Sequence, residues 1–269
     1  MCASGGNDPG MAAAARQETA CSDESVYAVP AIFDPVSLLP PPPADEAAQR
    51  DLEAVRAAQQ SRTPAQTAEA EANSVVDVFL FTAVLGPRFA PGNVPETTRF
   101  LQRVYRTSLP YLRATKDGWN RRRPFVVDPT LTPLQRSLAS TRLRSAPAPA
   151  PRESLPPQVE LPCTAPAADT SHISSYPSGH AFVGSMLAML LAEMVPEQRA
   201  ALCAFGREYG DARVTSGVHF PSDVEAGRIL ASLLIDMLQR DARFREDRRR
   251  ARLELRKALA YEPQEPPQG

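Results

Sequence analysis

The chain is poor in the residues that most often carry chemistry. Its 269 residues include three histidines, four cysteines and one tryptophan. The formal net charge of −1 provides no global basic field, so nucleic acid is not expected as a partner. No apolar run approaches the roughly 20 residues needed to cross a bilayer, and the longest, from Ala181 to Val195, is broken by Ser185 and Glu193. A soluble body is therefore expected. The start of the chain lacks a basic segment followed by an apolar one, so no intact signal peptide is expected. No C-x-x-C pair is present, which removes the usual zinc spacing; no metal and no cofactor is expected. Cys203 lies in an apolar helical pattern and reads as a buried thiol. Cys21 and Cys163 fall in irregular segments and could pair in an oxidising compartment.

Proline, by contrast, is abundant, with 28 residues concentrated near the two ends and between 124 and 166. Residues 1–43 show little periodicity and end in Leu38-Leu39-Pro40-Pro41-Pro42-Pro43, an extended segment that either lies against the body or spaces it from an anchor. The all-α body is expected over 44–260, with a tail at 261–269. Its first helix covers residues 44–60, with acids early as a helix start prefers. Thr63-Pro64 then reads as an N-cap and first-turn proline, opening a helix that becomes increasingly apolar to about Leu85 and is expected at the centre of the core. A long helix from Pro95 to about Arg122 contains Pro110, which should kink or divide it. Residues 125–176 form a proline- and serine-rich loop with at most a short helix near Leu134–Arg142. Further helices are expected from Pro177 to Met194, from Pro196 to about Asp211, from Pro221 to about Leu238, and over the arginine-rich stretch Arg240–Ala258, which reads as a solvated face or as a contact for anionic lipid or a partner. No strand alternation and no internal repeat is visible.

Three polar clusters punctuate this pattern. Lys116 and Arg123 are two helical turns apart, so on one continuous helix both would project from one face and suit a multivalent anion, although a basic helix end explains them equally. Ser175-Tyr176-Pro177-Ser178-Gly179-His180 leads into an apolar helix, with Ser175 or Tyr176 as the cap and Pro177 in the first turn. The N–H groups of Ser178, Gly179 and His180 would then face outward as an anion site, and a capped helix with an incidental histidine is the alternative. Arg213, His219 and Asp223 form the third cluster. Pro221 marks a helix start there, so Asp223 in its first turn can accept from His219 Nδ1–H and leave Nε2 unprotonated, while a plain helix-start acid is the competing reading. His172, the third histidine, sits in the loop and reads as solvated.

Taken in order, Lys116-x6-Arg123-Pro124, Pro177-Ser178-Gly179-His180 and Arg213-x5-His219-x3-Asp223 resemble the three-part signature of the type 2 phosphatidic acid phosphatase superfamily, which also includes the vanadium haloperoxidases. The proline run before the first helix and the Ser-Tyr-Pro-Ser-Gly-His block are similar to bacterial class A non-specific acid phosphatases, and the resemblance spans roughly residues 36–245. One departure is Ala212, where that signature usually has serine before the arginine. The resemblance implies a helical bundle and a metal-independent acid phosphatase of broad specificity for phosphate monoesters, inhibited by phosphate or vanadate. By the same likeness His219 would be the nucleophile that becomes a phosphohistidine, Asp223 would orient it, and His180 would protonate the leaving group. Lys116, Arg123, Ser178, Gly179 and Arg213 would bind the phosphate. A vanadate-dependent haloperoxidase, or a non-catalytic phosphate- or phospholipid-binding lipoprotein, are the alternatives. A periplasmic or cell-envelope location is implied. Met1-Cys2-Ala3-Ser4-Gly5-Gly6 is similar to the head of a mature bacterial lipoprotein, whose Cys2 would tether it to a membrane, and an ordinary flexible terminus is the other reading. The oligomeric state stays open, a homodimer included.

Overall fold

Helix starts in this chain are marked by prolines and small polar caps, and the computed structural model, which describes residues 26–72, 76–134 and 174–261, follows those marks closely. Among the described residues the helices are, in order, α1 (Pro35–Leu38), α2 (Asp45–Gln60), α3 (Pro64–Ala72), α4 (Thr82–Leu85), α5 (Pro95–Trp119), α6 (Pro124–Val127), α7 (Gly179–Met194), α8 (Arg199–Thr215), α9 (Pro221–Leu238) and α10 (Ala242–Ala258), with a 3₁₀ turn at Pro196–Gln198. There is no strand among the described residues, and the fold is all-α. At the start of α3 a reciprocal box forms: Gln66 N donates to Thr63 Oγ1 at 3.2 Å and Thr63 N donates to Gln66 Oε1 at 2.9 Å.

Several expectations are corrected. The helix expected from Pro64 to Leu85 ends at Ala72; residues 76–81 run through turns, and Asp77 Oδ1 accepts from Phe79 N at 3.0 Å, a local bond that competes with helix. Pro110 does not divide α5, which runs unbroken past it. Cys203 is exposed on α8, not buried. Apart from Leu134 itself, the helix near Leu134–Arg142, like Cys2, Cys21, Cys163 and His172, lies outside the described residues. Leu39 is buried and the segment after α1 follows extended backbone into α2, so this part of the proline run lies against the body.

The centre of the core is α7. Its buried set (Ala181, Phe182, Val183, Gly184, Met186, Leu187, Ala188, Leu190, Leu191, Ala192 and Met194) leaves no polar face, the pattern of a helix enclosed by neighbours. Small residues allow α8 and α9 to approach it closely. A Cβ on Gly206 would stand 2.7 Å from Ala188 Cβ, and one on Gly227 would stand 2.6 Å from the Ser178 carbonyl. A second, smaller apolar cluster of Leu52, Val55, Leu131 and Phe220 joins α2 to the α8–α9 corner.

The two ends of the described chain are bound to each other. Tyr27 N donates to Thr107 Oγ1 of α5 at 2.9 Å, Tyr27 Oη to Asp247 at 3.0 Å and Ala28 N to Asp241 at 2.7 Å. Val94, which caps α5, has no side-chain acceptor, and Glu254 of α10 supplies one instead, receiving Glu96 N at 3.0 Å and Thr97 N at 2.8 Å.

Candidate active site

His219 occupies the corner between α8 and α9, and the corner is built by local rules. After Ser216, Gly217 takes φ +71°; its N–H bonds Val214 O at 2.8 Å, and Val218 N bonds Arg213 O at 3.2 Å. These two bonds are the Schellman pattern, which calls for a left-handed residue that glycine adopts without strain. Four residues on, Pro221 opens α9 from its first position. His219 is therefore held between a helix stop and a helix start, with 3% exposure.

Both nitrogens of His219 have neighbours. Nδ1 lies 3.4 Å from Asp223 Oδ2, one helical turn on, and Nε2 lies 3.3 Å from Arg123 Nη1. Because guanidinium only donates, Nε2 is the acceptor and Nδ1 carries the proton. Burial holds the imidazole pKa well below its ordinary value, and the charges of Arg123, Lys116, His180 and Arg213 press in the same direction. Asp223 is fully buried; its Oδ2 also accepts Phe220 N at 2.8 Å and its Oδ1 accepts Arg121 Nη1 at 2.7 Å. Burial raises the Asp223 pKa, against the opposing pull of Arg121 and the Phe220 N–H.

The cations reach this corner from separate elements. Lys116 is near the end of α5 and donates to the carbonyls of Ser174 at 3.1 Å and Pro177 at 2.7 Å, so it fixes the turn before α7. Arg123 does not share a helix face with it. α5 stops at Asn120 in the left-handed region, and Arg123 follows on extended backbone as the residue before α6, its Nη1 also donating to Val218 O at 2.9 Å. The two side chains converge because the chain reverses, not because of helical spacing. Arg213, on α8 and 2% exposed, donates through Nη2 to Ala70 O at 3.0 Å, while its Nε has no hydrogen-bond partner among the described residues.

The start of α7 differs from the expectation by two or three residues. Ser178, not Ser175 or Tyr176, is the N-cap; its hydroxyl accepts from Ala181 N at 3.4 Å, and Pro177 precedes the helix after a cis Tyr176–Pro177 bond. Ser178 N–H does not face outward, since it donates to Asp223 O at 2.8 Å and ties α7 to α9. Gly179, as first helical residue, has no acceptor one turn earlier within its helix. Gly179 and His180 are partly exposed while Ser174 to Ser178 are buried, so the site opens beside His180, whose ring leans on Tyr209 with centroids 5.5 Å apart. Ala212, one residue before Arg213, brings no hydroxyl to the site.

Two features of the site were not singled out from the sequence. Arg121 bridges Asp223 and Asp51, a residue of α2 more than a hundred positions away from Asp223. Tyr176, which precedes the site's Ser178, donates its hydroxyl to Pro40 O in the proline run. The adjacent arginines 121–123 carry a weak signal for the first; nothing in the spacing of Asp51 marks it.

In this helical fold two histidines, an aspartate and three cations from separate segments lie around one corner. Comparison with known proteins gives the family. The model of the PAP2 superfamily matches residues 107–242, half of the chain, and the chain belongs to this superfamily. It is 30% identical over 233 residues to an acid phosphatase of Zymomonas mobilis, covering 84% of this chain and 76% of the relative. It is 28% identical over 226 residues to a non-specific acid phosphatase of Salmonella typhimurium, covering 81% and 78%. Over a shorter stretch of 83 residues, 31% of this chain and 34% of the relative, it is 39% identical to a non-specific acid phosphatase of Providencia stuartii.

Proposed function

We propose that the protein is an acid phosphatase that hydrolyses phosphate monoesters through a phosphohistidine on His219, without a metal. One observation carries this reading above the others: His219 is buried with Nδ1 directed at Asp223 and Nε2 directed at Arg123, in a field of four cationic or protonatable groups. The donor already beside Nε2 marks where a phosphoryl oxygen would come to rest. In the first step Nε2 attacks phosphorus in line, the P–O bond to the alcohol breaks, and His180 gives the departing alkoxide a proton. In the second, His180 takes a proton from water, the water oxygen attacks phosphorus, and the P–N bond breaks to release phosphate.

Lys116, Arg123, Arg213, the Ser178 hydroxyl and the Gly179 N–H neutralise the phosphoryl oxygens as charge shifts. Ser178 acts here through its side chain, since its N–H is committed to Asp223. The depressed pKa of His219 keeps the nucleophile neutral into the acid range, and this favours activity below neutrality. The relatives' names, acid phosphatase and non-specific acid phosphatase, favour this reading over a haloperoxidase or a non-catalytic binder and support broad specificity, and an exported, cell-envelope protein inhibited by phosphate and vanadate goes with it.

The test is hydrolysis of p-nitrophenyl phosphate across about pH 4–8 with chelator present, the range in which histidines change charge. Activity with an acid-side maximum is expected, together with an acid-quenched phosphoenzyme that disappears in His219→Ala. A normal phosphoenzyme burst in that variant would overturn the assignment; vanadate-loaded bromide oxidation without phosphatase activity would replace it.

A further inference from the structure

Asp223 is a carboxylate in a fully buried position, and its two oxygens are used differently. Oδ2 accepts from His219 Nδ1 and Phe220 N, whereas Oδ1 accepts Arg121 Nη1. The Arg121 guanidinium is itself held by three further contacts. Its Nη1 also donates to Ser222 Oγ at 2.7 Å, its Nη2 donates to Asp51 Oδ2 at 2.8 Å, and its plane sits 4.0 Å from the centroid of Phe220, the residue after His219. Asp51 in turn receives Ser222 N at 3.3 Å and the Ser222 hydroxyl. Thus a side chain of α2 caps the start of α9 from outside and anchors the arginine that anchors Asp223. Arg121 is paired with two carboxylates, so its part differs from that of Lys116, Arg123 and Arg213.

We propose that Arg121, held by Asp51, is a positioning residue for the His219–Asp223 pair: it occupies Oδ1, keeps the carboxylate charged, and so directs Oδ2 at Nδ1–H and Nε2 at the phosphorus. The proposal rests on His219 being the nucleophile. A planar fork suits the task because two carboxylates must be met at once in fixed geometry; a lysine ammonium, a single point charge, meets one of them. The groups facing Asp223 are Arg121 and, behind it, Asp51 on α2; Lys116 on α5; the Tyr176 hydroxyl ahead of α7; and His219 itself. Burial of Asp223 works against its charge, and Arg121 is the first of the groups that work for it.

The experiment uses the full chain in four forms: unsubstituted, Arg121→Met, Arg121→Lys and Asp51→Asn, with His219→Ala alongside. Rapid-quench phosphoenzyme formation from p-nitrophenyl phosphate and the pH profile of kcat/KM are measured after equal thermal melts confirm folding. Arg121→Met should slow phosphorylation about 10- to 100-fold, the size of coupling found within one polar network, with little change in KM. Its acid limb should move to higher pH, because Asp223 then protonates more readily. Arg121→Lys and Asp51→Asn should shift in the same direction by less, and they carry the test if Arg121→Met fails to fold. Folded Arg121 variants with an unchanged phosphorylation rate and acid limb, or a loss confined to KM, would overturn the positioning role. A His219→Ala enzyme that still forms phosphoenzyme would instead overturn the nucleophile, whatever the Arg121 variants do.

Discussion

Arg121, Arg122 and Arg123 are consecutive, yet each meets a different partner. Arg121 serves the buried carboxylates, Arg122 donates to Val126 O at the exposed surface at 3.0 Å, and Arg123 reaches His219 Nε2. α5 stops in the left-handed turn at Asn120, so these three residues lie beyond the helix and are not held at its fixed angular steps. Backbone conformation is equally decisive at Gly217. Gly217→Ala places a Cβ at φ +71° and should cost about 1–2 kcal/mol in urea unfolding, with a loss of activity larger than the stability loss alone explains because His219 is two residues on. His180, partly exposed at the mouth, has the opposite situation from the buried His219. His180→Ala should retain most activity on p-nitrophenyl phosphate, whose leaving group needs little protonation, and lose far more on an alkyl phosphate; equal losses on both substrates would contradict the acid role.

At the scale of elements, helix ends do most of the positioning. Where a helix lacks a good cap residue, another helix supplies an acceptor: Glu254 of α10 for α5, and Asp51 of α2 for α9, beside the bond from Phe220 N to α9's own Asp223. The start of α7 is set against α9 by the bond from Ser178 N to Asp223 O and by the close approach at Gly227. Gly227→Ala would drive a methyl group into the Ser178 carbonyl and should destabilise the protein by about 1–3 kcal/mol, as overpacked sites do. It should also lower activity, since it pushes the start of α7, which carries His180, away from α9 and the corner that holds His219; melts and steady-state rates on one preparation check both. Much of this layer was legible in advance. Pro64, Pro95 and Pro221 begin helices as read, because a fixed φ and a missing donor suit the first turn. The motif residues of the site were legible too, as residues. Their routes into it were less so. Lys116 and Arg123 converge by chain reversal instead of helical spacing, and the Ser178 N–H is spent within the protein, because both depend on turns and neighbours that periodicity does not encode. Asp51 was invisible for the same reason: a carboxylate on an amphipathic helix carries no mark of what it will meet.

For the whole molecule, burying titratable groups couples stability to pH. His219 is held neutral in the folded state, whereas the unfolded chain takes up a proton near the ordinary value of 6.5. The unfolded state then binds the extra proton, so stability is full above that pH and falls as pH drops, by at most about 1.4 kcal/mol per pH unit. Asp223 acts in the opposite sense, since its raised pKa lets the folded state keep a proton that the unfolded chain releases above the ordinary value of 3.8. The urea midpoint should therefore decline from about pH 7 to about pH 5, and His219→Asn should flatten that decline. Inorganic phosphate should offset it by mass action if it binds the folded state alone. An identical slope in the variant would show that other groups set the trend.

The contacts that join Tyr27 and Ala28 to Asp241 and Asp247 have a consequence for synthesis. They span more than two hundred positions, so Tyr27 and Ala28, made early, must wait for residues made late before they gain their partners. Closing so long a loop is entropically slow and raises contact order. Every residue of the proposed catalytic set has been made before α10 is complete, so the nascent chain carries its chemistry before it carries the clasp that holds α5 and α10 together. Translation of α10 is in that sense the event that shuts the fold.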